Sequence, residues 1–302
     1  MTPIVHCPVC DSTGPREKYQ VADRHYGNKG LFTYTICVGC QLEFFDPMPS
    51  NDELMKFYPE ESYYAYSMGM PQKESSWKTL FRKILFLGYR TKDPHFNEPG
   101  RLLDIGCGSG WFMYEMREKG WEVMGVEPSH AGAETGRKAN LDIHEGDLLS
   151  TSYSSDYFDY IRLNHAFEHI PDPAEVLTEI RRILKPGGKV FIGVPNVASF
   201  NAKVFRQYWY YLGAPVHTFN YSHRTLPMLA KKLGFKNVRV LFNSNFKGVL
   251  GSIQIYLNRN NGRTSEEGFV VNFLPFRIVA GFVSKLMNVA KAGDCIEVIF
   301  EK

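Results

Sequence analysis

A chain of 302 residues can build one large domain and a small companion, and 44% apolar against 22% charged residues is the balance of a globular protein, not of a disordered or fibrous one. A net charge of +3 gives no reason by itself to expect a nucleic-acid partner. The start, Met1-Thr2-Pro3-Ile4-Val5-His6-Cys7, does not have the form of a signal peptide, and no uncharged apolar run reaches the ~18 residues of a bilayer span, so a cytoplasmic protein is expected.

The first signal is four cysteines in two pairs, Cys7-x-x-Cys10 and Cys37-x-x-Cys40. Each loop sets two thiolates on one side of a metal, and two such loops complete a tetrahedron. Disulfides are disfavoured in a chain without an export signal, so the four are read as zinc ligands. Four protein ligands leave no open position, which makes the zinc structural and lets it supply folding free energy that a segment of this size lacks. Leu31 to Ile36 reads as a strand leading into the second pair. Between Cys7 and Cys40, Arg16, Lys18, Arg24 and Lys29 face Asp11, Glu17 and Asp23, which is no basic stripe for RNA. Trp77, Leu80, Phe81, Ile84, Leu85 and Leu87 recur at near-helical spacing among Lys78, Arg82, Lys83 and Arg90. They read as an amphipathic bridging helix, with a membrane-surface helix as the alternative. Thr91 to Gly100 reads as a linker.

The chain is organised around Leu102-Leu103-Asp104-Ile105-Gly106-Cys107-Gly108-Ser109-Gly110. An apolar strand ends in three glycines on alternate positions, and a helical pattern (Trp111, Phe112, Met113, Met116) begins at once. Glycine allows the sharp bend and the close approach of a ligand, and the helix N-terminus adds free N–H groups. Dinucleotide sites show G-x-G-x-x-G around a pyrophosphate. Here Asp104 lies two residues before the first glycine, a poor neighbour for a pyrophosphate and a good one for an ammonium group. S-adenosylmethionine carries an ammonium and a sulfonium. The stretch resembles the first motif of class I S-adenosylmethionine-dependent methyltransferases. That resemblance implies a Rossmann-like α/β fold, a doubly wound and mostly parallel seven-stranded sheet, with Asp104, Gly106, Gly108 and Gly110 at the donor. The N-terminal cysteine segment, with Gln41 to Pro49, Glu53 to Tyr58 and Tyr63-Tyr64, is similar to the zinc-binding domain of sugar and natural-product methyltransferases. A zinc-ribbon-like module over 1–60, a helical linker over 61–98 and a methyltransferase domain over 99–302 follow, with the tyrosines either lining the acceptor site or packing on the larger domain.

Trp121 to Val126 reads as the second strand, and Glu127, 21 residues after Gly106, is placed to accept from both ribose hydroxyls. After a third strand, Leu141 to His144, comes Asp147, which the resemblance sets against the adenine amino group and which also suits a turn. The fourth strand, Tyr157 to Leu163, delivers Asn164 and the loop His165 to Pro173 to the donor side, because the site of such a sheet lies beyond the carboxyl ends of its strands. Asp172 and Pro173 read as a helix start, and Lys189 to Val194 as the fifth strand. Glu168-His169 resembles the Glu-His pair of a quinone-biosynthesis branch, some of whose members bind a divalent metal with a further carboxylate three residues earlier. Here that place is His165, so no second metal is assigned and His169 is kept as an acid–base candidate.

In relatives the stretch His217-Thr218-Phe219-Asn220-Tyr221-Ser222 lies over the acceptor. His217 is the first choice of general base and Tyr221 an orienting group, with a loop hydrogen bond as the plain alternative for His217. Ser222 or Thr225 can cap the next helix. Val238 to Phe242 and Cys295 to Phe300 are the last strands. Between them, Val249 to Leu257 reads as helical, and after Pro275 the residues Ile278, Val279, Phe282, Val283, Leu286, Met287 and Ala290 form one helix face. Such a face is expected to pack on its own domain, with an interfacial role near a lipid-linked acceptor as the alternative. The expected activity is methyl transfer to a small-molecule or glycan acceptor, a sugar hydroxyl first. The competitors are an RNA methyltransferase and a donor-binding scaffold without turnover. A nicotinamide dehydrogenase is disfavoured by Asp104 and the glycine spacing.

Overall fold

The computed structural model describes residues 6–14, 16–58, 91–260 and 268–302. The expected bridging helix and Tyr63-Tyr64 lie outside the described residues.

Strands β1 (Arg16–Ala22) and β2 (Leu31–Cys37) form an antiparallel pair with Arg16 opposite Cys37 and Ala22 opposite Leu31. The chain turns through the second cysteine loop into β3 (Glu43–Phe45), antiparallel to β2. Ser50 then starts helix α1 (Asn51–Met55): its Oγ accepts from the Glu53 amide while the Glu53 carboxylate accepts from the Ser50 amide. This reciprocal cap satisfies two donors that the helix itself leaves unpaired.

From β4 (Arg101–Ile105) the chain alternates strand and helix: α2 (Trp111–Arg117), β5 (Glu122–Glu127), α3 (His130–Lys138), β6 (Asp142–Glu145), β7 (Phe158–Asn164), α4 (Pro173–Ile183) and β8 (Leu184–Pro195). Then follow α5 (Phe200–Phe205), β9 (Phe219–Asn220), α6 (Thr225–Lys232), β10 (Lys236–Phe242), α7 (Phe246–Asn258), α8 (Phe269–Asn272), α9 (Leu274–Val289) and β11 (Cys295–Glu301). The large sheet has seven strands in the order β10-β11-β8-β7-β4-β5-β6, parallel from β8 to β6, with β11 antiparallel to both its neighbours. The expected fold class therefore holds. Its central strands are apolar on both faces, with Leu102, Leu103, Ile161, Leu163, Val190 and Ile192 fully buried, as strands covered by helices on both sides must be. The chain runs outward from β4 to β6 and then returns to place β7 on the other side of β4. That reversal opens a crevice over the carboxyl ends of β4 and β7.

Three local expectations change. Pro173 opens α4, but the Asp172 side chain makes no cap bond, because its backbone (φ −115°, ψ 69°) lies away from the extended conformation a cap requires. The small sheet takes a fourth strand from far along the chain: β9 pairs with β3, Glu43 opposite Asn220 and Phe44 opposite Phe219, giving the order β1-β2-β3-β9. The cysteine segment and the segment after β8 thus share a sheet and one core, in which Tyr34, Phe44, Phe219 and Tyr221 are all buried. Finally, α9 packs against α7 through Ala280, Gly281 and Ser284, its buried positions. Val279, Phe282 and Leu286 of the expected packing face are exposed instead. Small side chains let the two helix backbones approach closely, so the face that packs is the small one and not the most apolar one.

Candidate active site

The turn after β4 is built on left-handed glycines, with φ +72° at Gly106 and +77° at Gly110. At both places the space is closed as well: a Cβ on Gly106 would stand 2.5 Å from Cβ of Ala166, and one on Gly110 2.3 Å from Cδ1 of Leu141. The Gly106 amide donates to Val126 O at 2.8 Å, which ties the bend to β5. Gly108, φ +55°, donates its amide to Glu127 Oε2 at 2.7 Å, and the Ser129 amide donates to Oε1 at 2.9 Å. Glu127 is buried, and burial raises its pKa against the two backbone hydrogen bonds that lower it. Each of its oxygens is already an acceptor, and a ribose would use the lone pairs that remain.

Asp104 points to a partner that spacing could not reveal. Its Oδ1 lies 3.3 Å from Nη1 of Arg162 on β7, and both side chains are buried. Burial pushes the Asp104 carboxyl up to about 6, against the pull of Arg162. The guanidinium also meets Asp93 Oδ1 at 3.2 Å and covers the Phe112 ring at 3.8 Å. The chain thus provides its own cation beside Asp104. The signal in the sequence is the arginine itself, set in the otherwise apolar run Tyr160-Ile161-Arg162-Leu163. Asp147 holds the turn at 148–150, accepting from the Ser150 amide at 2.9 Å, and Asn51 of α1 comes within 3.5 Å of its other oxygen. Asn164 ends β7 with a buried Oδ1 that has no hydrogen-bond partner. Gly193, the neighbouring β8 residue, leaves it room: a Cβ there would lie 2.6 Å from that oxygen.

The other expected residues meet at the loop after β7. The His169 and His217 rings stand edge to face, 4.8 Å between centroids. Ligating atoms of Glu168, His169 and His217 all lie within 4.8 Å of one another, a donor set that could hold a metal ion. His217 is the third member that local spacing hides. His169 Nδ1 lies 2.9 Å from Val216 O and 2.7 Å from the Tyr58 hydroxyl. A carbonyl only accepts, so the proton sits on Nδ1 and Nε2 carries the lone pair. Glu168 is fully buried. Burial opposes its ionisation, but the hydrogen bond from His165 and the nearby imidazoles prevail and hold it at about 2. Burial and its histidine neighbours lower His217 to about 3, so at neutral pH it is an uncharged imidazole. Glu168 Oε2, His217 Nδ1 and the Tyr221 hydroxyl are buried without a hydrogen-bond partner. Tyr221 stacks on Phe167 at 5.2 Å. From the small sheet, the Tyr34 hydroxyl donates to His217 O at 2.6 Å.

The four cysteines of that sheet converge. Sγ of Cys7 is 3.6 Å from Sγ of Cys40, and Sγ of Cys10 is 3.5 Å from Sγ of Cys37. All four are free thiols, too far apart for S–S bonds. Tetrahedral Zn–S bonds of about 2.3 Å put sulfurs roughly 3.8 Å apart, so the cluster fits a zinc ion.

A family profile described as a methyltransferase domain matches residues 72–240. Among curated proteins, a ubiquinone biosynthesis O-methyltransferase of Stutzerimonas stutzeri is 30% identical over 132 residues, 41% of this chain and 56% of that protein. One of Aeromonas salmonicida is 33% identical over 103 residues, 32% of this chain and 43% of that protein. The chain spans about half the length of the curated relatives it matches. Among solved structures, phosphoethanolamine N-methyltransferase 2 of Haemonchus contortus, with phosphomonomethylethanolamine and S-adenosylhomocysteine, gives a TM-score of 0.51 at 19% identity. That match covers 94% of this chain and 71% of that one, and shows the shared fold.

Proposed function

This chain belongs to the methyltransferase-domain family, and from that premise we propose that it moves a methyl group from S-adenosylmethionine to an oxygen of a small molecule or glycan, a sugar hydroxyl first. The observation that carries the donor is the glycine turn after β4, closed to any Cβ at Gly106 and braced through Gly108 by Glu127. Gly106, Gly108 and Gly110 would admit the donor, Glu127 would take its ribose, and Asp147 and Asn164 would border it. Asp104, with Arg162 beside it, would hold the charge balance under the turn. The reaction is an in-line displacement at the sulfonium methyl, so the chain contributes chiefly position.

Burial and its histidine neighbours keep His217 uncharged, so its imidazole can accept a proton. A hydroxyl becomes strongly acidic only as the methyl arrives, and a neutral imidazole suffices for that proton. Glu168 would steady the imidazolium, His169 would stand behind it, and Tyr221 would orient the acceptor. The curated relatives named above are O-methyltransferases, which agrees. Cys7, Cys10, Cys37 and Cys40 would hold a structural zinc that keeps the Tyr34 side of the pocket folded.

Calorimetry with S-adenosylmethionine and S-adenosylhomocysteine tests the donor. Gly106→Val should weaken both by at least ~100-fold, about 2.7 kcal/mol; unchanged affinity would falsify the site. Labelled methyl transfer screened over sugar nucleotides, phenols, phosphoethanolamine and RNA then identifies the acceptor. On it, His217→Ala should slow turnover about 100-fold while donor affinity stays put. Transfer to RNA alone would replace this reading by the nucleic-acid one.

A further inference from the structure

The helices that follow β8 carry a surface that methyl transfer does not explain. On α8 and α9, Phe269 is 66% exposed, Leu274 48%, Phe276 42%, Val279 62%, Leu286 54% and Val289 84%. Phe276, Val279, Leu286 and Val289 follow the helical repeat on the side opposite Ala280, Gly281 and Ser284, which pack on α7. The result is an apolar stripe along a 16-residue helix, on the order of 24 Å long, and it starts at a cluster in which Phe269, Phe273 and Phe276 touch one another. Contiguous exposed apolar surface of this kind marks an interaction site.

The charges around the stripe say what kind. Residues 200–212, 246–260 and 268–293 hold seven lysines and arginines and no aspartate or glutamate. Of these, Lys203, Arg206, Lys285 and Lys291 are exposed. The asymmetry extends further: residues 180–293 contain 17 lysines and arginines against two acids, Glu266 and Glu267, in a chain whose net charge is only +3. An apolar ridge on a helix that carries Lys285, with Lys291 just past its end, is complementary to an anionic bilayer surface, where the side chains enter the acyl boundary and the ammonium groups stay at the phosphates. A second copy of the chain would bring like charges together. A nucleic acid would meet the cations but gain nothing from Val279, Leu286 or Val289, which have no ring to stack on a base. No helix among the described residues is long and apolar enough to cross a membrane, so the contact is peripheral.

We propose that the α8–α9 face docks this protein on an anionic lipid surface. The proposal stands on that face alone and does not depend on the methyl-transfer reading.

Flotation of the full, zinc-loaded chain with vesicles tests it. Vesicles of phosphatidylcholine mixed with phosphatidylglycerol should bind at least about tenfold more tightly than phosphatidylcholine alone, and the difference should shrink with salt. The double variant Val279→Asp, Leu286→Asp should lose about tenfold or more, with circular dichroism and melting temperature as in the wild type, since both positions face solvent. The milder Val289→Asp, at the helix end, repeats the test should the double variant misfold. Lys285→Glu with Lys291→Glu should weaken binding to the anionic vesicles and leave the weak binding to phosphatidylcholine as it was. Three results would overturn the proposal: no binding by the wild type, equal binding by the aspartate variants, or a dimer in sedimentation that those variants dissolve. RNA binding that the glutamate variants abolish and the aspartate variants keep would likewise assign the face to a nucleic acid instead.

Discussion

The two ends of the crevice are finished to different degrees. At the glycine turn every buried carboxylate has its partner: Glu127 accepts from two amides and Asp104 pairs with Arg162. Across the crevice, Glu168 Oε2, His217 Nδ1 and the Tyr221 hydroxyl are buried with none. A buried polar group left unpaired costs about 1–3 kcal/mol, so the chain carries a cost on one side that it avoids on the other. A ligand that supplies the missing hydrogen bonds would recover it. One end is therefore a frame whose shape is set by its own hydrogen bonds, and the other holds polar atoms that the proposed acceptor would pair. The frame is built mainly on one continuous stretch, residues 101–129, closed from outside by Leu141, Arg162 and Ala166, whereas the open end gathers the small sheet, the loop after β7 and the segment 216–221.

The largest effect that could break this contrast comes from the zinc proposed for the four cysteines. Metal analysis should give about one zinc per chain, and chelation should remove on the order of 10 kcal/mol of metal-dependent folding free energy from the cysteine module. Because β9 and the Tyr34 contact with His217 depend on that module, turnover should vanish while donor affinity, measured by calorimetry, changes by less than about threefold. Loss of both together would mean that the two ends are not separable. Next in size is Arg162→Met, which leaves Asp104 buried without its cation and should cost about 3–5 kcal/mol in urea denaturation. Adding Asp104→Leu should restore much of it, since a buried pair replaced on both sides is often neutral. A loss below 1 kcal/mol would show that the frame does not rest on this pair.

Legibility follows the same division. The turn after β4 was readable because strand, glycines and helix are adjacent in the chain, and Glu127 lies at the next strand end. The convergence of the four cysteines was readable because two Cys-x-x-Cys loops can each turn two thiols to one side. Arg162 and Asp93 were not, because partners on different strands leave no periodicity. Nor could spacing show His217 beside Glu168 and His169, or residues 219–220 completing a sheet that starts at Arg16. For α9 the apolar repeat announced a helix correctly and its packing face only in part: Ile278, Val283 and Met287 are half-buried, while Val279, Phe282 and Leu286 are exposed. Hydrophobicity measures the tendency to leave water, whereas the contact with α7 was decided by how small Ala280, Gly281 and Ser284 are.

Glu43 adds a pH dependence in the small sheet of the open end. It lies opposite Asn220, accepts a 2.5 Å hydrogen bond from the Tyr19 hydroxyl, and burial raises it to about 7 against that bond. A carboxyl whose folded pKa exceeds its ordinary value favours the fold when protonated. Its contribution is complete below about 4.5 and is lost as pH rises through about 7. Between those limits the wild type should lose on the order of 2–3 kcal/mol more than Glu43→Gln does, the difference between the two pH profiles being the contribution of this one carboxyl. A slope of the opposite sign at this residue would place an unrecognised cation beside it.

The smallest effect separates the two ends most directly. Tyr221→Phe removes a hydroxyl that is buried against Phe167 and Phe219 and has no hydrogen-bond partner. In a finished structure, deleting a tyrosine hydroxyl loses a hydrogen bond and destabilises. Here it should stabilise the ligand-free protein by about 1 kcal/mol, because an unpaired polar atom leaves the core and the ring stays. If that hydroxyl serves the acceptor, the same variant should raise KM or lower kcat by roughly tenfold while donor affinity is unchanged. Higher stability with lower turnover is the signature of an atom kept for a ligand. Lower stability would show that Tyr221 is as fully partnered as the carboxylates at the glycine turn, and the contrast between the two ends would fail at the residue where it is sharpest.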